Sequence, residues 1–188
     1  MVLYGMEQAM SGGREKVLLY GYGNPGRGDD GLGPALASAI ELADLPGVEV
    51  DADYQLTIED AARLAGYGAV VFVDAAAQGE EPFSFVLVDD AAAHHLGWTS
   101  HSVTPAQVVA LARDLFGCRV PAYLLAIRGY QFTELCEVFS PAAKENLAAA
   151  LAFAKRVLLE PGCCFARYLR SSGPTAAGPE LGGSTWKA

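Results

Sequence analysis

Short apolar runs alternate with helical apolar periodicities along most of the chain. Three runs have the length and composition of buried strands, at residues 16–22, 48–54 and 69–74. After the first run, Leu36, Ala39 and Ile40 recur at helical spacing behind Pro34, which suits the first position of a helix. Residues 58–64 predict a second, short helix. This strand–helix order predicts parallel strands joined by right-handed crossovers.

The second half of the chain adds two more strands and two helices. The apolar run 83–88 follows the third strand after a link too short for a parallel crossover, so we expect it to be antiparallel to a neighbour. Residues 104–116 predict a helix with Thr104 as N-cap, Gly117 as stop and an inward face. That face consists of Val108, Leu111, Ala112 and Leu115. A last strand at 122–128 and an alanine-rich helix from Ser140 to about residue 159 complete an α/β fold.

The length of 188 residues is typical of one domain. We predict a single α/β domain over residues 14–160. Residues 161–188 are expected to form a disordered C-terminal tail, because Gly, Ser, Pro and Ala dominate its later part.

Charge and hydropathy exclude several classes of partner. Thirteen Lys and Arg against 22 Asp and Glu give a net charge of −9, which repels nucleic acid and anionic membrane surfaces. No apolar stretch reaches the roughly 18 to 20 residues of a membrane span, and the first residues lack the features of a secretory signal. We therefore expect a cytoplasmic protein. The four cysteines show no CxxC spacing and carry little functional weight.

The segment from Gly21 to Gly26 satisfies the GxGxxG pattern of dinucleotide-binding turns. Asp51 or Asp53, at the end of the next strand, would then contact a ribose. However, Asp29 and Asp30 follow the last of these glycines, where their charges would repel a pyrophosphate. For Asp29 we favour a helix-capping role. Asp30 is a candidate for a cation site or a polar reaction centre at the carboxyl edge of the sheet.

Asp74 ends the third strand and places a second carboxylate at the same edge, although aspartates in such positions often cap turns. His101 precedes the Thr104 cap in a short polar loop. Two carboxylates and one imidazole form an incomplete ligand set for a first-row metal, with positions open for substrate or water. Asp30, Asp74 and His101 are therefore the candidate site residues. By their spacing alone, a structural role for each stays open.

Several motifs together resemble the hydrogenase maturation protease family. They are Gly21-x-Gly23-Asn24, Asp29-Asp30-Gly31-x-Gly33, Val73-Asp74-Ala75, Ser100-His101 before Thr104-Pro105, and Phe139-Ser140-Pro141. The resemblance implies a three-layer α/β/α sandwich on a mostly parallel five-stranded sheet with one antiparallel strand. It also implies an endopeptidase that removes the C-terminal extension of a nickel-loaded [NiFe]-hydrogenase large-subunit precursor. The metal-contacting positions of the family fall on Asp30, Asp74 and His101.

The resemblance further implies that the precursor brings the nickel and that the free protein, expected to be a monomer, holds none. Many members carry glutamate where this chain has Asp30, which is one methylene shorter. A rival mechanism within the same function uses Asp30 and Asp74 directly as acid and base, as an aspartyl-type peptidase would. Two other functions are alternatives: an NAD-dependent oxidoreductase, and a nickel-checking chaperone that binds the precursor without cleaving it.

Overall fold

A five-stranded sheet forms the centre of the protein. The computed structural model describes residues 16–89, 103–133 and 135–169. Its strands are β1 (Val17–Tyr22), β2 (Val48–Asp53), β3 (Ala69–Ala76), β4 (Phe83–Leu87) and β5 (Ala122–Arg128). They lie in the order β2-β1-β3-β5-β4, and only the β4–β5 pairing is antiparallel. The predicted α/β class and the antiparallel fourth strand are confirmed.

Helices cover both faces of the sheet. They are α1 (Leu32–Glu41), α2 (Asp60–Arg63), α3 (Pro105–Phe116) and α4 (Pro141–Leu158). Because successive strand residues point to opposite faces, β1 contributes Val17 and Leu19 to one buried cluster and Leu18 and Tyr20 to the other. The first cluster lies under α1 and α4, and the second lies under α2 and α3. The result is the three-layer α/β/α sandwich.

The two long helices of the second half begin at the predicted caps. Thr104 and Gln107 form a capping box at the start of α3, and Gly117 ends that helix in the left-handed conformation. The Ser140 hydroxyl caps α4 by accepting from the Ala143 amide. The inward assignment of Leu115 is wrong, since its side chain is 67% exposed. All the buried residues of α3 precede its last turn.

The predicted domain boundary at residue 160 falls too early. Residues Gly162–Tyr168 form a 3-10 helix instead of the start of a disordered tail. Phe165 in that helix is fully buried and packs edge-to-face on Tyr123, with ring centroids 5.6 Å apart. Burial of an aromatic side chain removes a large apolar area from water, which stabilises the packing of this 3-10 helix on the domain. Residues 170–188 lie outside the described residues.

No helix within the described ranges is both long enough and apolar enough to cross a membrane.

Candidate functional site

The turn after β1 is glycine-rich because backbone segments approach one another closely there. A Cβ added to Gly33 would lie 2.4 Å from the carbonyl oxygen of Tyr22 and 2.5 Å from that of Val73. A Cβ at Gly23, whose φ is +136°, would lie 2.1 Å from the carbonyl oxygen of Asp30. These glycines let the start of α1 rest directly on the carboxyl ends of β1 and β3.

The backbone amides of this turn are already engaged within the protein. Gly23 donates to the Asp53 carbonyl, and Asn24 donates to the Asp30 carboxylate. The amides of residues 26–30 donate to oxygens of Asn24, Cys136, Gln131 and Arg27. A dinucleotide pyrophosphate requires such amides to be free. The GxGxxG pattern therefore reflects close packing, and the amides offer no anion cradle.

Asp29 is a buried anchor for the loop that follows β5. Its carboxylate accepts from the amides of Tyr130, Gln131 and Ser140 and from the Ser140 hydroxyl, at 2.7 to 2.9 Å. Burial acts to raise the pKa of Asp29, but these four hydrogen bonds outweigh it and hold the pKa below its ordinary 3.8. The predicted capping of the first helix by Asp29 is wrong, since its bonds go to a segment about 100 residues away.

Asp30 follows immediately but is only half-buried. It lies in the 3-10 turn Gly28–Gly31 that leads into α1. One of its oxygens, Oδ2, accepts from the Asn24 amide at 3.0 Å. That single bond orients the carboxylate at the carboxyl edge of the sheet, and most of its acceptor capacity is unused within the described residues.

Asp74 lies at the same edge, near the end of β3. Its Oδ1 accepts from the Ala75 amide at 2.7 Å. Burial raises the pKa of Asp74 from 3.8 to about 7; the Tyr22 hydroxyl and the Ala75 amide act to lower this pKa, and the Asp30 charge acts to raise it. Burial and the neighbouring Asp74 carboxylate in turn hold the pKa of Tyr22 well above its ordinary value of 10.0.

The structure thus brings together two of the three predicted site residues. Asp30 and Asp74 lie close enough for the charge of the first to perturb the second. His101 lies outside the described residues. Among the described residues alone, no group of three metal-binding side chains is present. Such carboxylate pairs can bind a cation jointly or exchange a proton with a substrate.

A cavity of about 270 Å³ opens between the turn after β1 and the end of β2. It is lined by Gly23, Pro25, Pro34, Ala52, Asp53 and Tyr54. Neither Asp30 nor Asp74 lines this cavity. Its volume lies below the roughly 300 to 1,000 Å³ of typical ligand pockets.

Neither a family model nor a curated protein matches the sequence. Solved structures do match. The [NiFe] hydrogenase maturation protease HycI from Thermococcus kodakarensis is 23% identical, covering 79% of this chain and 96% of its own, with a TM-score of 0.61. The endopeptidase HybD from E. coli is 17% identical over 76% of this chain and 91% of its own, with a TM-score of 0.60.

A hydrogenase 2 maturation peptidase from a Thaumarchaeota archaeon is 22% identical, covering 77% of this chain and 99% of its own, with a TM-score of 0.56. The chain has the fold of the hydrogenase maturation proteases. The alignments cover 91–99% of the length of these three neighbours, so the likeness of fold concerns the entire domain. A shared fold positions a site but does not by itself define its chemistry.

Two residues beside the candidate site were missed in the sequence. Tyr22 was counted only as the last residue of an apolar strand, although its position just before Gly23 places it at the carboxyl edge of the sheet. Asp29 was assigned to helix capping, whereas it accepts hydrogen bonds from the loop after β5 and from Ser140. The Phe139-Ser140-Pro141 motif was the available signal, because Ser140 both caps α4 and donates to Asp29.

Proposed function

We propose that this protein is an endopeptidase of the hydrogenase maturation protease family, acting on the nickel-loaded large-subunit precursor of a [NiFe]-hydrogenase. The observation that carries the proposal is the meeting of Asp30 and Asp74 at the carboxyl edge of the sheet. These are two of the three positions that the sequence motifs assign to metal contact. The likeness of fold over 76–79% of the chain supports the same assignment.

The nickel in this proposal belongs to the substrate. Asp30, Asp74 and His101 would bind the ion that the precursor carries, so that only a loaded precursor is aligned for cutting. Oxygen and nitrogen donors of this kind suit a divalent first-row ion. Nickel binding at the two carboxylates would also offset the repulsion between their charges.

The position of His101 in the sequence, just ahead of α3, supports its inclusion in this set. Asp74 follows Phe72 by two residues in β3, so its side chain leaves the sheet on the face that α2 and α3 cover. α3 ends shortly before β5 begins, near the amino edge of the sheet, so its first turn lies toward the opposite, carboxyl edge. His101 is three residues ahead of Thr104 in the sequence, just before that first turn.

Asp74 can also serve the chemistry of peptide hydrolysis. A carboxyl group whose pKa is about 7 is divided between its acidic and basic forms near neutral pH. Such a group can accept a proton from an attacking water and return it to the leaving amine. This acid–base role is the rival of nickel binding at Asp74, since a bound cation displaces the proton that the transfer requires.

The proposal places the protein in the cytoplasm as a monomer that contacts the precursor only while the cut is made. The engaged amides of residues 23–30 weigh against the oxidoreductase alternative, for which a pyrophosphate cradle is required. A titration with NADH that showed micromolar binding would instead favour the oxidoreductase.

The experiment follows the mass of a large-subunit precursor during incubation with the protein. We expect a loss equal to the C-terminal extension with the wild type, and no loss with Asp30→Asn or Asp74→Asn. Gly66→Ala serves as a matched control, because a Cβ there meets nothing within 4 Å. A stable complex without any change in mass would favour the chaperone alternative and overturn the peptidase.

A further inference from the structure

We propose that Arg128 binds an acidic side chain of the precursor, within about three residues of the bond that is cut. This inference rests on the proposed function and names a feature of its substrate. Arg128 is the last residue of β5 and pairs with Ala76 of β3, two residues beyond Asp74. With a rise of about 3.3 Å per residue and a strand spacing of about 4.8 Å, its Cα lies about 8 Å from that of Asp74.

The guanidinium of Arg128 is held at the carboxyl edge of the sheet by backbone oxygens. Its Nη1 donates to the carbonyls of Ala76 and Gly129, at 3.4 and 3.0 Å, and also to the carbonyl of Ala77. Its Cζ lies 4.9 Å from the centroid of the Tyr130 ring, a cation–π contact. Because these contacts already restrict a long side chain, a ligand of Arg128 would bind with a smaller loss of conformational entropy.

Two buried side chains support the backbone and the ring beside this guanidinium. Asn146, which is 8% exposed, donates from Nδ2 to the Arg128 carbonyl at 2.9 Å and to the Tyr130 hydroxyl at 3.0 Å. The Asp29 carboxylate accepts from the Tyr130 amide at 2.8 Å. The end of β5 is therefore tied to α4 and to the turn after β1, which keeps Arg128 in a fixed position relative to Asp30 and Asp74.

The remaining donors of Arg128 suit a carboxylate. Only Nη1 is engaged, and the N–H groups of Nε and Nη2 have no acceptor among the residues that the structure describes. Within the same residues, no ion pair joins Arg128 to an Asp or Glu. The side chain is half-buried, so part of it is accessible. Adjacent nitrogens of a guanidinium can donate to both oxygens of one carboxylate in parallel hydrogen bonds.

The charge of the protein explains why an acidic substrate residue requires such a partner. The chain has a net charge of −9, and Asp30 and Asp74 lie at the edge where the precursor is cut. An approaching carboxylate would be repelled by these groups unless a cation offsets their charge. Arg128 provides a cation at that edge, and its pairing would favour precursors with an acid in the matching position.

A simpler alternative is that Arg128 only joins the ends of β3 and β5, or that it pairs with Glu81 in solution. Glu81 precedes Pro82, whose carbonyl accepts from the Arg128 amide at 3.2 Å. A joining role would change stability without changing affinity for the precursor. Pairing with Glu81 would make the effects of Glu81→Gln and Arg128→Gln equal.

The test uses the full chain and both forms of the precursor. Calorimetry measures the affinity for the nickel-free precursor, which stays intact under the proposed function, and mass spectrometry gives KM and kcat for the nickel-loaded one. Arg128→Gln should weaken binding and raise KM by about 10-fold or more, with kcat within about twofold, because uniform binding is lost. Arg128→Lys keeps the charge without the planar fork and should also raise KM. Thermal melting establishes that each variant is folded.

Arg156 offers a matched control. It is an exposed arginine on α4 whose Cζ lies 5.7 Å from the centroid of the Phe153 ring. Arg156→Gln removes the same charge and a similar ring contact away from the carboxyl edge. We expect its affinity for the precursor and its KM to stay within about twofold of the wild type.

A second arm replaces each Asp or Glu near the cut in the precursor by Asn or Gln. One such precursor should bind the wild type about 10-fold more weakly, yet bind Arg128→Gln as the unchanged precursor does, since the pair is already broken. A precursor without any acid near the cut, or with none coupled to Arg128, would overturn the inference.

Unchanged affinity and KM in folded Arg128→Gln would also overturn it, as would an equal loss in Arg156→Gln or Glu81→Gln. No binding of either form of the precursor by the wild type would count against it as well. The outcome is separable from that of the proposed function. If Arg128→Gln weakens binding but the wild type never shortens the precursor, the binding role stands and the peptidase falls.

Discussion

Asp29 and Asp30 are adjacent in the chain, yet their carboxylates lie in opposite environments. The Asp29 side chain is fully buried and accepts four hydrogen bonds from the loop after β5 and from Ser140. Asp30 is half-buried, accepts one bond from Asn24, and interacts electrostatically with Asp74. The first carboxylate stabilises the fold around the site, and the second is available for function.

Asp29→Asn should therefore destabilise the protein by roughly 2 to 4 kcal/mol, because an amide nitrogen would face donors that now bond to oxygen. Urea unfolding measures the loss. Asp30→Asn is the matched control and should change the free energy of unfolding by less than about 1 kcal/mol. The wild-type contribution of Asp29 is present above pH 3.8 and is lost as the pH falls through its lowered folded-state pKa. Equal stability of the two variants would contradict the anchoring role.

Asp30→Asn should abolish shortening of the precursor while the melting temperature stays near that of the wild type. The reason is that the amide keeps the bond from Asn24 but loses the charge needed for a cation. Mass spectrometry after incubation gives the result. Unimpaired shortening by this variant would remove Asp30 from the site.

Asp74→Asn should stabilise the folded protein at neutral and alkaline pH. The folded-state pKa of Asp74, about 7, lies above its ordinary value of 3.8. Between these two pH values the folded state binds more protons than the unfolded state, so the stability of the wild type falls as the pH rises from 3.8 to about 7. At 1.36 kcal/mol per pKa unit the full effect has an upper limit of about 4 kcal/mol. We expect a gain of about 2 kcal/mol or more at pH 8 and little gain at pH 4. Unfolding curves for both proteins at the two pH values measure it, and a pH-independent difference would contradict the shifted pKa.

Gly33→Ala should disturb the packing of α1 on the sheet edge. The new Cβ would lie within 2.5 Å of two backbone oxygens, which cannot move as a flexible side chain can. We expect a destabilisation of about 2 kcal/mol or more, together with loss of activity, because Asp30 is carried by the same turn. Gly66→Ala, where nothing lies within 4 Å, should be neutral in both assays. Similar melting temperatures for the two variants would contradict the close-packing explanation of the glycines.

The regular part of the fold was predictable from the sequence because local chemistry dictates it. Three features are directly recognisable in the sequence: the apolar run of β3, the Thr104–Gln107 capping box and the short link before β4. The exposure of Leu115 and the burial of Phe165 were not predictable in this way. Both depend on where an element ends relative to the rest of the domain, which periodicity does not encode.

The placement of the candidate residues was predictable in part. The turn after β1 and the end of β3 indicated that Asp30 and Asp74 share an edge, since the carboxyl ends of parallel strands do. The partners of Asp29 lie about 100 residues later in the chain, and the position of Tyr22 relative to Asp74 depends on the register of two strands. Contacts of such long range arise from tertiary structure, and a single sequence shows them only through a family motif.

The central claim is that Asp30 and Asp74 serve a peptidase for a nickel-loaded precursor. The most direct measurement is mass spectrometry of a nickel-loaded large-subunit precursor before and after exposure to the wild-type protein, beside a nickel-free precursor. We predict that the loaded precursor loses its C-terminal extension and that the nickel-free one keeps its full mass. An unchanged mass of the loaded precursor, after hours with folded protein, would contradict the account.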